Sequence, residues 1–394
     1  MDKREWIFLL LALAILFVAS FVRLTSMTQF SDGDEYIYAA LVQQLQAGRG
    51  YTLRGHPLLN SPLISKSHYD SAYFFHPPVG VFFFYLVAKI IHPLSSALRW
   101  AQIFSFAIFY FAMLVTRQLL QNDRRLLPFL AFALLVAFTP IYAHTNMKAW
   151  IDNPRLAFFA LHFVFLLYAT QRPRVWALLG VILSSLLVVL SKVDGLLALP
   201  FVQVFVLLLN FKENKKYVPI GLAVLLFNLI VVVLWLWLSN ALHYAPGHPS
   251  QELLNMNPFI RYVTLAVSPW IFFIGFAKVV STFLPSAIVL LVCRKGRFGP
   301  PEVLLLWVFC FCSAYFLLGS FGYSRVLRYL LFVTPACLLL FSYAIEQLLF
   351  LQKGQRGLTI AFTTLLLLGF GLEIYQGVQT IRVHNLEALI EPSF

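Results

Sequence analysis

Long apolar runs recur along the whole chain and are separated by short polar segments. A helix needs about 20 apolar residues to cross a bilayer, and most of these runs reach or approach that length. Because the apolar residues are continuous instead of alternating, they are typical of helices and not of barrel strands. The pattern predicts about eleven spans, at residues 6–26, 97–119, 126–143, 154–170, 174–190, 196–211, 217–241, 270–293, 302–320, 327–351 and 357–379.

One further apolar run, PPVGVFFFYLVAKII at residues 77–91, is shorter than the roughly 20 residues that a span needs. Cytoplasmic loops of membrane proteins carry an excess of Lys and Arg. If this run does not cross, the basic clusters between the other spans all fall on one side; if it crosses, every cluster after the N-terminal one changes side. The run is therefore predicted to be a re-entrant or surface-lying helix in a first outer loop at 27–96, with the N-terminus cytoplasmic.

The composition agrees with a polytopic membrane protein. Of 394 residues, 60% are hydrophobic and 11% are charged, whereas a soluble domain is about a quarter charged. The net charge of +13 fits basic cytoplasmic loops, and no basic stripe with interleaved aromatic residues indicates nucleic-acid binding. The first apolar run is long for a signal peptide and is interpreted as a retained helix. We expect one transmembrane domain over residues 1–394, with no soluble C-terminal domain.

Acidic side chains collect on the predicted outer face. Asp34 and Glu35, in SDGDEYIYAA, open the first outer loop, and Asp152 lies at the outer end of a span. One interpretation is structural: Asp32 caps an amphipathic helix over 33–47, Glu35 closes a capping box, and the other acids serve helix dipoles. The other is functional, because charged groups at the edge of the hydrocarbon are expensive and usually mark sites. The residues alone leave both interpretations open.

Basic side chains share that face. Lys192 lies in the short turn SKVDG, and Arg325 and Arg328 lie in GYSRVLRY. The two arginines are three residues apart and therefore share one helix face. They either extend toward lipid headgroups or form a phosphate clamp, for which the planar guanidinium group is well suited.

A histidine-containing stretch, YFFHPPVG, precedes the short apolar run. His76 is interpreted as an interfacial residue among aromatic side chains, and the prolines after it start the non-crossing helix. His56, His68, Asp70 and His76 match no standard zinc spacing, so no metal site is predicted there. Acids beside a phosphate can recruit a divalent cation, although no ligand spacing requires one, and no other cofactor is predicted.

Together, these groups suit chemistry on a lipid-linked phosphate at a membrane face. A carboxylate can take the proton of an incoming hydroxyl group, and arginines can stabilise the charge that grows on a departing phosphate. A phosphate leaving group ionises readily, so the reaction needs no general acid. The residues suffice for direct displacement of a sugar from a polyprenyl phosphate.

Several short motifs also carry a resemblance to a known family. They are Asp34-Glu35-Tyr36, Gly48, His76-Pro77-Pro78, Asp152-x-Pro154, Lys192, and Arg328-Tyr329 with Pro335. In this order they resemble the GT-C membrane glycosyltransferases, specifically the group of protein O-mannosyltransferases and the bacterial aminoarabinose transferase (families 39 and 83). The match covers most of the chain, and it is the ordered set that carries it.

The resemblance implies an all-α GT-C-like fold with surface-lying helices in the first outer loop. It implies that Asp34 and Asp152 are the catalytic acids. By the same resemblance, Arg328 lies near the donor phosphate, and Lys192 matches a Lys-Gly turn into which Val-Asp is inserted here. We assign Arg325 to the donor phosphate as well. Substrate-binding positions are expected at Glu35, Tyr36, His76 and Tyr329.

The expected function is inverting transfer of a sugar from a polyprenyl-phosphate donor to a hydroxyl group of a lipid, glycan or protein, within the cell (inner) membrane of a prokaryote. The active site is expected on the extracytoplasmic face. Two other classes stay open: a non-catalytic GT-C-like subunit of a larger membrane complex, and a polytopic lipid transporter or flippase. Transporters often consist of two related halves, and the sequence contains no such repeat.

Overall fold

The computed structural model describes residues 3–27, 33–60, 74, 76–121, 125–172, 174–209, 215–239, 280–293, 299–317, 330–351 and 356–383. Within these ranges the chain is helical. The α-helices are α1 Lys3–Ser26, α2 Gly33–Gln46, α3 Val79–Ala88, α4 Leu94–Gln121, α5 Leu126–Phe138, α6 Pro140–Asn146, α7 Asp152–Gln171, α8 Val175–Ser191, α9 Gly195–Leu209, α10 Val218–Leu238, α11 Phe283–Val292, α12 Pro300–Leu317, α13 Thr334–Leu351 and α14 Arg356–Val383. Short 3₁₀ turns occupy Pro57–Asn60, Lys215–Tyr217 and Leu330–Val333.

The predicted spans correspond to these helices wherever the structure describes them. One differs, because the predicted span at 126–143 is two helices, α5 and α6, bent by 42° around Thr139. Pro140 explains the break, since a proline has no N–H for the helical hydrogen bond and its ring clashes with the carbonyl group four residues earlier. The short apolar run forms α3, whose 10 residues rise about 15 Å, half the thickness of a bilayer core.

Five helices among the described residues are long and apolar enough to cross a membrane, or six if the bent pair α5–α6 is one span. They are Glu5–Ser26, Leu94–Gln121, Val218–Leu238, Leu331–Leu349 and Gly357–Arg382. Large apolar side chains on them are exposed, such as Phe17 of α1, Trp237 of α10 and Ile360 of α14. Such faces fit lipid and not water, so the chain is an integral membrane protein. The larger total of about eleven spans stays a prediction.

The chain packs as two compact units. The first, called the α7 unit, comprises Met27–Ala112 and Thr145–Gly247, and the second, called the α14 unit, comprises Met1–Ser26, Met113–His144 and His248–Phe394. The expectation of a single domain stays a prediction.

In the α7 unit, α2 lies on α3 and fills a core. The amphipathic helix predicted over 33–47 does form, but its buried side chains are not confined to one face, because Ile37, Tyr38, Ala40 and Val42 are all buried. Tyr38 packs edge-on against Phe84 of α3. A glycine permits the next contact: a Cβ atom at Gly80 would lie 2.7 Å from the side chain of Ile151. Helix α3 therefore packs against both α2 and the segment that precedes α7.

In the α14 unit, the break between α5 and α6 is held by two buried charged side chains. Arg23 of α1 donates to the carbonyl oxygens of Ala19, at 3.1 Å, and of Ala137, at 2.6 Å. Glu373 of α14 accepts from the hydroxyl group of Thr139 at 3.1 Å, and from the hydroxyl and N–H groups of Thr282 at 2.6 and 2.9 Å. The polar groups at the break, which include the Ala137 carbonyl and the Thr139 hydroxyl group, therefore have hydrogen-bond partners inside an apolar helix bundle. A membrane interior requires such partners.

Candidate functional site

The candidate site is built on the start of α2. Asp34, in the first turn, is half-buried, Glu35 is buried, and Tyr36 is exposed. Acidic side chains are favoured at this end of a helix because the dipole is positive there. Asp32, the predicted cap, lies outside the described residues.

Glu35 joins α2 to a distant part of the chain. Its carboxylate accepts a 2.8 Å hydrogen bond from the backbone N–H of Ala149, three residues before Asp152. The capping-box interpretation of Glu35 did not anticipate this partner. Because a buried N–H without an acceptor is costly, the bond fixes the segment before α7 against the helix that carries Asp34.

The side chain of Asn153 forms hydrogen bonds within the same segment and holds it in shape. The Nδ2 atom of Asn153 lies within hydrogen-bond distance of the carbonyl oxygens of Thr145, at 2.8 Å, and of Lys148, at 3.1 Å, and of the amide oxygen of Gln102 in α4. Its two N–H bonds are shared among these acceptors. Asn146 donates to the backbone carbonyl of Gln102 at 2.9 Å. One buried amide group thus holds residues 145–153 in a fixed turn on α4.

Four charged side chains form a cluster where α7 begins. Asp152 and Arg155, one helical turn apart on α7, are fully buried and form an ion pair at 2.5 Å. Arg155 also forms an ion pair with Asp194, whose side chain is 18% exposed. The Nζ atom of Lys192 lies 3.4 Å from the same Asp152 oxygen that Arg155 contacts.

The turn between α8 and α9 presents the other half of this cluster. Lys192 ends α8 in an extended backbone conformation, and α9 begins at Gly195. A Cβ atom at Gly195 would lie 2.7 Å from the side chain of Val188, so glycine allows the chain to turn tightly here. The tight turn brings both Lys192 and Asp194 onto the start of α7.

His76 lies in an aromatic group near the start of α3. Its ring is 5.6 Å from the ring of Phe74, whose backbone N–H donates to the carbonyl of Tyr51 at 3.0 Å. The hydroxyl group of Tyr51 donates to Pro77 at 3.3 Å, and burial raises the pKa of that hydroxyl well above its usual value. The surroundings of His76 match the interfacial interpretation.

The remaining predicted positions are only partly visible. Arg325, Arg328 and Tyr329 lie outside the described residues, as do His68 and Asp70. His56 lies 3.2 Å from the side-chain oxygen of Gln43. Among the residues that the structure describes, no group of three or more His, Cys, Asp or Glu side chains could hold a metal ion. The described carboxylates of the cluster are already balanced by Arg155 and Lys192.

Sequence reasoning placed Asp194 on the outer face without a role, and it missed Arg155, Asn153 and Gln102 as members of this group. A signal for Arg155 was present, because an arginine inside the apolar run that starts at Pro154 is a charge within a predicted span, three residues from a candidate acid. The two amide side chains carry no comparable signal. The structure brings Asp152 and Lys192 into contact, a contact that their placement on one predicted face allowed but did not predict.

By sequence, the chain matches no family model and no curated protein. Its fold is similar to ArnT from Cupriavidus metallidurans bound to undecaprenyl phosphate, with a TM-score of 0.60 and 15% identity, over 99% of this chain and 78% of that one. It is also similar to the Archaeoglobus fulgidus oligosaccharyltransferase in the apo form, with a TM-score of 0.54 and 14% identity, over 94% of this chain and 56% of that one.

A complex of the archaeal oligosaccharyltransferase AglB with an inhibitory peptide and a dolichol-phosphate gives a TM-score of 0.53 at 13% identity, over 94% of this chain and 56% of that one. This chain thus spans about half the length of the archaeal enzyme. At these identities the likeness concerns the fold. The GT-C-like fold that the resemblance implies is confirmed as a fold, while the number of spans stays a prediction.

Proposed function

We propose that the protein is an inverting glycosyltransferase that moves a sugar from a polyprenyl-phosphate donor to a hydroxyl acceptor. The observation that carries the proposal is the joining of Asp34's helix to the Asp152–Lys192 cluster by the bond from Ala149 to Glu35, within a fold shared with a transferase that binds undecaprenyl phosphate. A base and a phosphate-binding cation are then held by one unit of the chain.

In the proposed reaction, Asp34 takes the proton of the acceptor hydroxyl group. The acceptor oxygen attacks the anomeric carbon, a new glycosidic bond forms, and the bond from that carbon to the phosphate oxygen breaks. The polyprenyl phosphate leaves with the electron pair of the broken bond. Lys192, together with Arg325 and Arg328, stabilises the charge that grows on the phosphate.

The other predicted roles are part of the same proposal. Asp152 belongs to the catalytic group through its pair with Lys192, and Tyr36, His76 and Tyr329 contact the substrates. Glu35 contributes at the substrate site while it anchors Ala149. A divalent cation beside the phosphate would supply further positive charge. The site lies on the extracytoplasmic face of a prokaryotic inner membrane, and the acceptor is a lipid, a glycan or a protein.

The test is sugar transfer by the purified protein in lipid vesicles, with radiolabelled sugars on undecaprenyl and dolichyl phosphates. Asp34→Asn removes the base but keeps the size of the side chain, so transfer should fall by about 10² to 10⁴-fold. Glu302→Gln, at the start of α12, is the matched control and should retain activity. Transfer by Asp34→Asn at the wild-type rate would exclude Asp34 as the base.

A further inference from the structure

One carboxylate oxygen, Oδ1 of Asp152, holds two cations unequally. Arg155 approaches it to 2.5 Å, whereas the ammonium group of Lys192 stays at 3.4 Å. Hydrogen bonds between oppositely charged groups are about 2.7–2.9 Å long at full strength. Arg155 is therefore the tight partner of Asp152, and Lys192 is a loosely held one.

Arg155 is held in place from a second side. Its guanidinium group contacts Asp194 as well as Asp152, and the side chain is fully buried on α7. Five N–H donors in one rigid plane allow a guanidinium group to serve two carboxylates at once. Lys192 instead carries a point charge on a flexible stem, in the turn that follows α8. The two cations differ in how readily they can move.

The charges of the cluster sum to zero when both acids are ionised, with Arg155 and Lys192 against Asp152 and Asp194. An arriving phosphate carries more charge than one carboxylate and would compete with Asp152 for Lys192. Once Lys192 has moved, the cluster carries one net negative charge, but both acids keep their contact with Arg155. Asp194 is 18% exposed, so the fully buried Asp152 is not left without a counter-ion, which would be strongly unfavourable.

We propose that Arg155 is a positioning residue that stays paired with both Asp152 and Asp194, so that Lys192 can exchange Asp152 for the phosphate of a lipid-linked donor. This inference rests on the proposed function, because it takes Lys192 as the phosphate contact. It assigns Asp152 the role of an internal anion that occupies Lys192 until the donor binds.

The exchange gives Asp152→Asn an unusual expected effect. If Asp152 competes with the phosphate, loss of its charge frees Lys192 and tightens phosphate binding. If Asp152 instead only orients Lys192, the same change weakens binding. The sign of the change in affinity therefore decides between the two roles.

The experiment titrates undecaprenyl phosphate into the purified full-length protein in zwitterionic nanodiscs and measures the dissociation constant. Asp152→Asn should tighten binding about fivefold, since the 3.4 Å pair that it removes is a weak one. Arg155→Met should weaken binding by more than about tenfold, because two acids then hold Lys192. The double variant should return to within about threefold of the wild type, because the changes are coupled.

Matched controls separate this exchange from general electrostatics. Asp194→Asn also removes one negative charge, but Asp194 is paired with Arg155, whereas Asp152 is paired with Lys192 as well. Asp194→Asn should therefore tighten binding less than Asp152→Asn. Undecaprenol, which has the tail without the phosphate, should bind all variants alike. Inorganic phosphate should compete only weakly, since it lacks the tail. Thermal unfolding of each variant shows that it is folded, and the Asp152→Asn comparison decides if Arg155→Met does not fold.

Lys192→Met distinguishes the inference from the proposed function. If Lys192→Met weakens binding while Asp152→Asn leaves it unchanged or weaker, the exchange is wrong and the phosphate contact stands. Equal tightening by Asp152→Asn and Asp194→Asn also overturns the exchange. If Lys192→Met binds undecaprenyl phosphate as the wild type does, the phosphate contact itself is wrong and the exchange is overturned with it.

Discussion

Each unit of the chain buries charged side chains completely, but the two units satisfy them differently. In the α14 unit, Arg23 donates to backbone carbonyl oxygens, and Glu373 accepts from threonine hydroxyl groups and one backbone N–H. In the α7 unit, Asp152 and Arg155 are paired with other charged side chains.

The two kinds of partner suit two different purposes, namely structural support and the exchange of one charged partner for another. A backbone carbonyl group or a helix N–H is a fixed dipole that belongs to the helix, so a charge bonded to it stays where the fold puts it. A charged side chain can leave its partner for another charge, at a cost that the new pair offsets. The α14 unit uses its charges to hold a broken helix, and the cluster of the α7 unit is the one for which we propose exchange with a charged ligand.

The largest effect is expected from Arg155→Met. It leaves Asp152 and Asp194 as buried or partly buried acids without their shared counter-ion, which should lower the free energy of unfolding by about 3–5 kcal/mol. Arg23→Met removes the donor to the carbonyl groups of Ala19 and Ala137, which are neutral, and should cost about 1–3 kcal/mol. Thermal unfolding in detergent, read by intrinsic fluorescence, compares the two variants.

The double variant Asp152→Asn/Arg155→Met is the control, because it removes the guanidinium group and also the charge of Asp152, one of the two acids that would otherwise lose this counter-ion. It should recover a large part of the loss. Equal costs for Arg155→Met and Arg23→Met would contradict the distinction between the two units.

Glu373 gives the next largest effect. Glu373→Ala removes the acceptor of the Thr282 N–H group and of two hydroxyl groups, and should cost about 2–3 kcal/mol. Glu373→Gln keeps one acceptor oxygen and should cost less. Because this carboxylate supports a helix break, sugar transfer per folded molecule should stay within about twofold of the wild type for Glu373→Gln. A larger loss of transfer with unchanged stability would assign Glu373 to function.

Glu35 is a mixed case, since it is a backbone-bonded acid inside the α7 unit. Glu35→Ala strands the buried N–H of Ala149 and should cost about 1–3 kcal/mol, with slower transfer because the anchor between Asp34 and the cluster is lost. Glu35→Gln retains an acceptor oxygen and serves as the matched control. Thermal unfolding and transfer should both follow the order wild type, Gln, Ala, and a Gln variant as impaired as Ala would show that the charge itself is needed.

The smallest effect concerns His56. Burial, together with the nearby Arg49, lowers the pKa of His56 below its usual value, so folding favours the neutral ring. That contribution to stability is complete above the pKa of the unfolded chain and is lost as the pH falls through the folded pKa. His56→Gln should therefore reduce slightly the fall in melting temperature between about pH 7 and pH 5. A steeper fall in the variant would contradict this sign.

Periodicity predicted most of the fold because a membrane helix must satisfy its own backbone and expose apolar side chains. It missed the break at Thr139, although Pro140 marks it, because the apolar run continues through both helices. The sequence placed Asp152 and Lys192 at one face but predicted no contact between them. Arg155 was missed as a member of the cluster. Its first partner, Asp152, is one helical turn away, which the spacing shows. Its second partner, Asp194, lies beyond the next helix, and that contact depends on packing that a sequence pattern does not encode.

The bond from Ala149 to Glu35 has a consequence for the order in which the protein is made. The two residues are 114 positions apart, and chains are synthesised at about 5–20 residues per second, so Glu35 emerges on the order of ten seconds before its partner. During that interval the carboxylate of Glu35 lacks this hydrogen bond. The bond that joins the helix of Asp34 to the segment before α7 can therefore form only after α4, α5 and α6 have been synthesised.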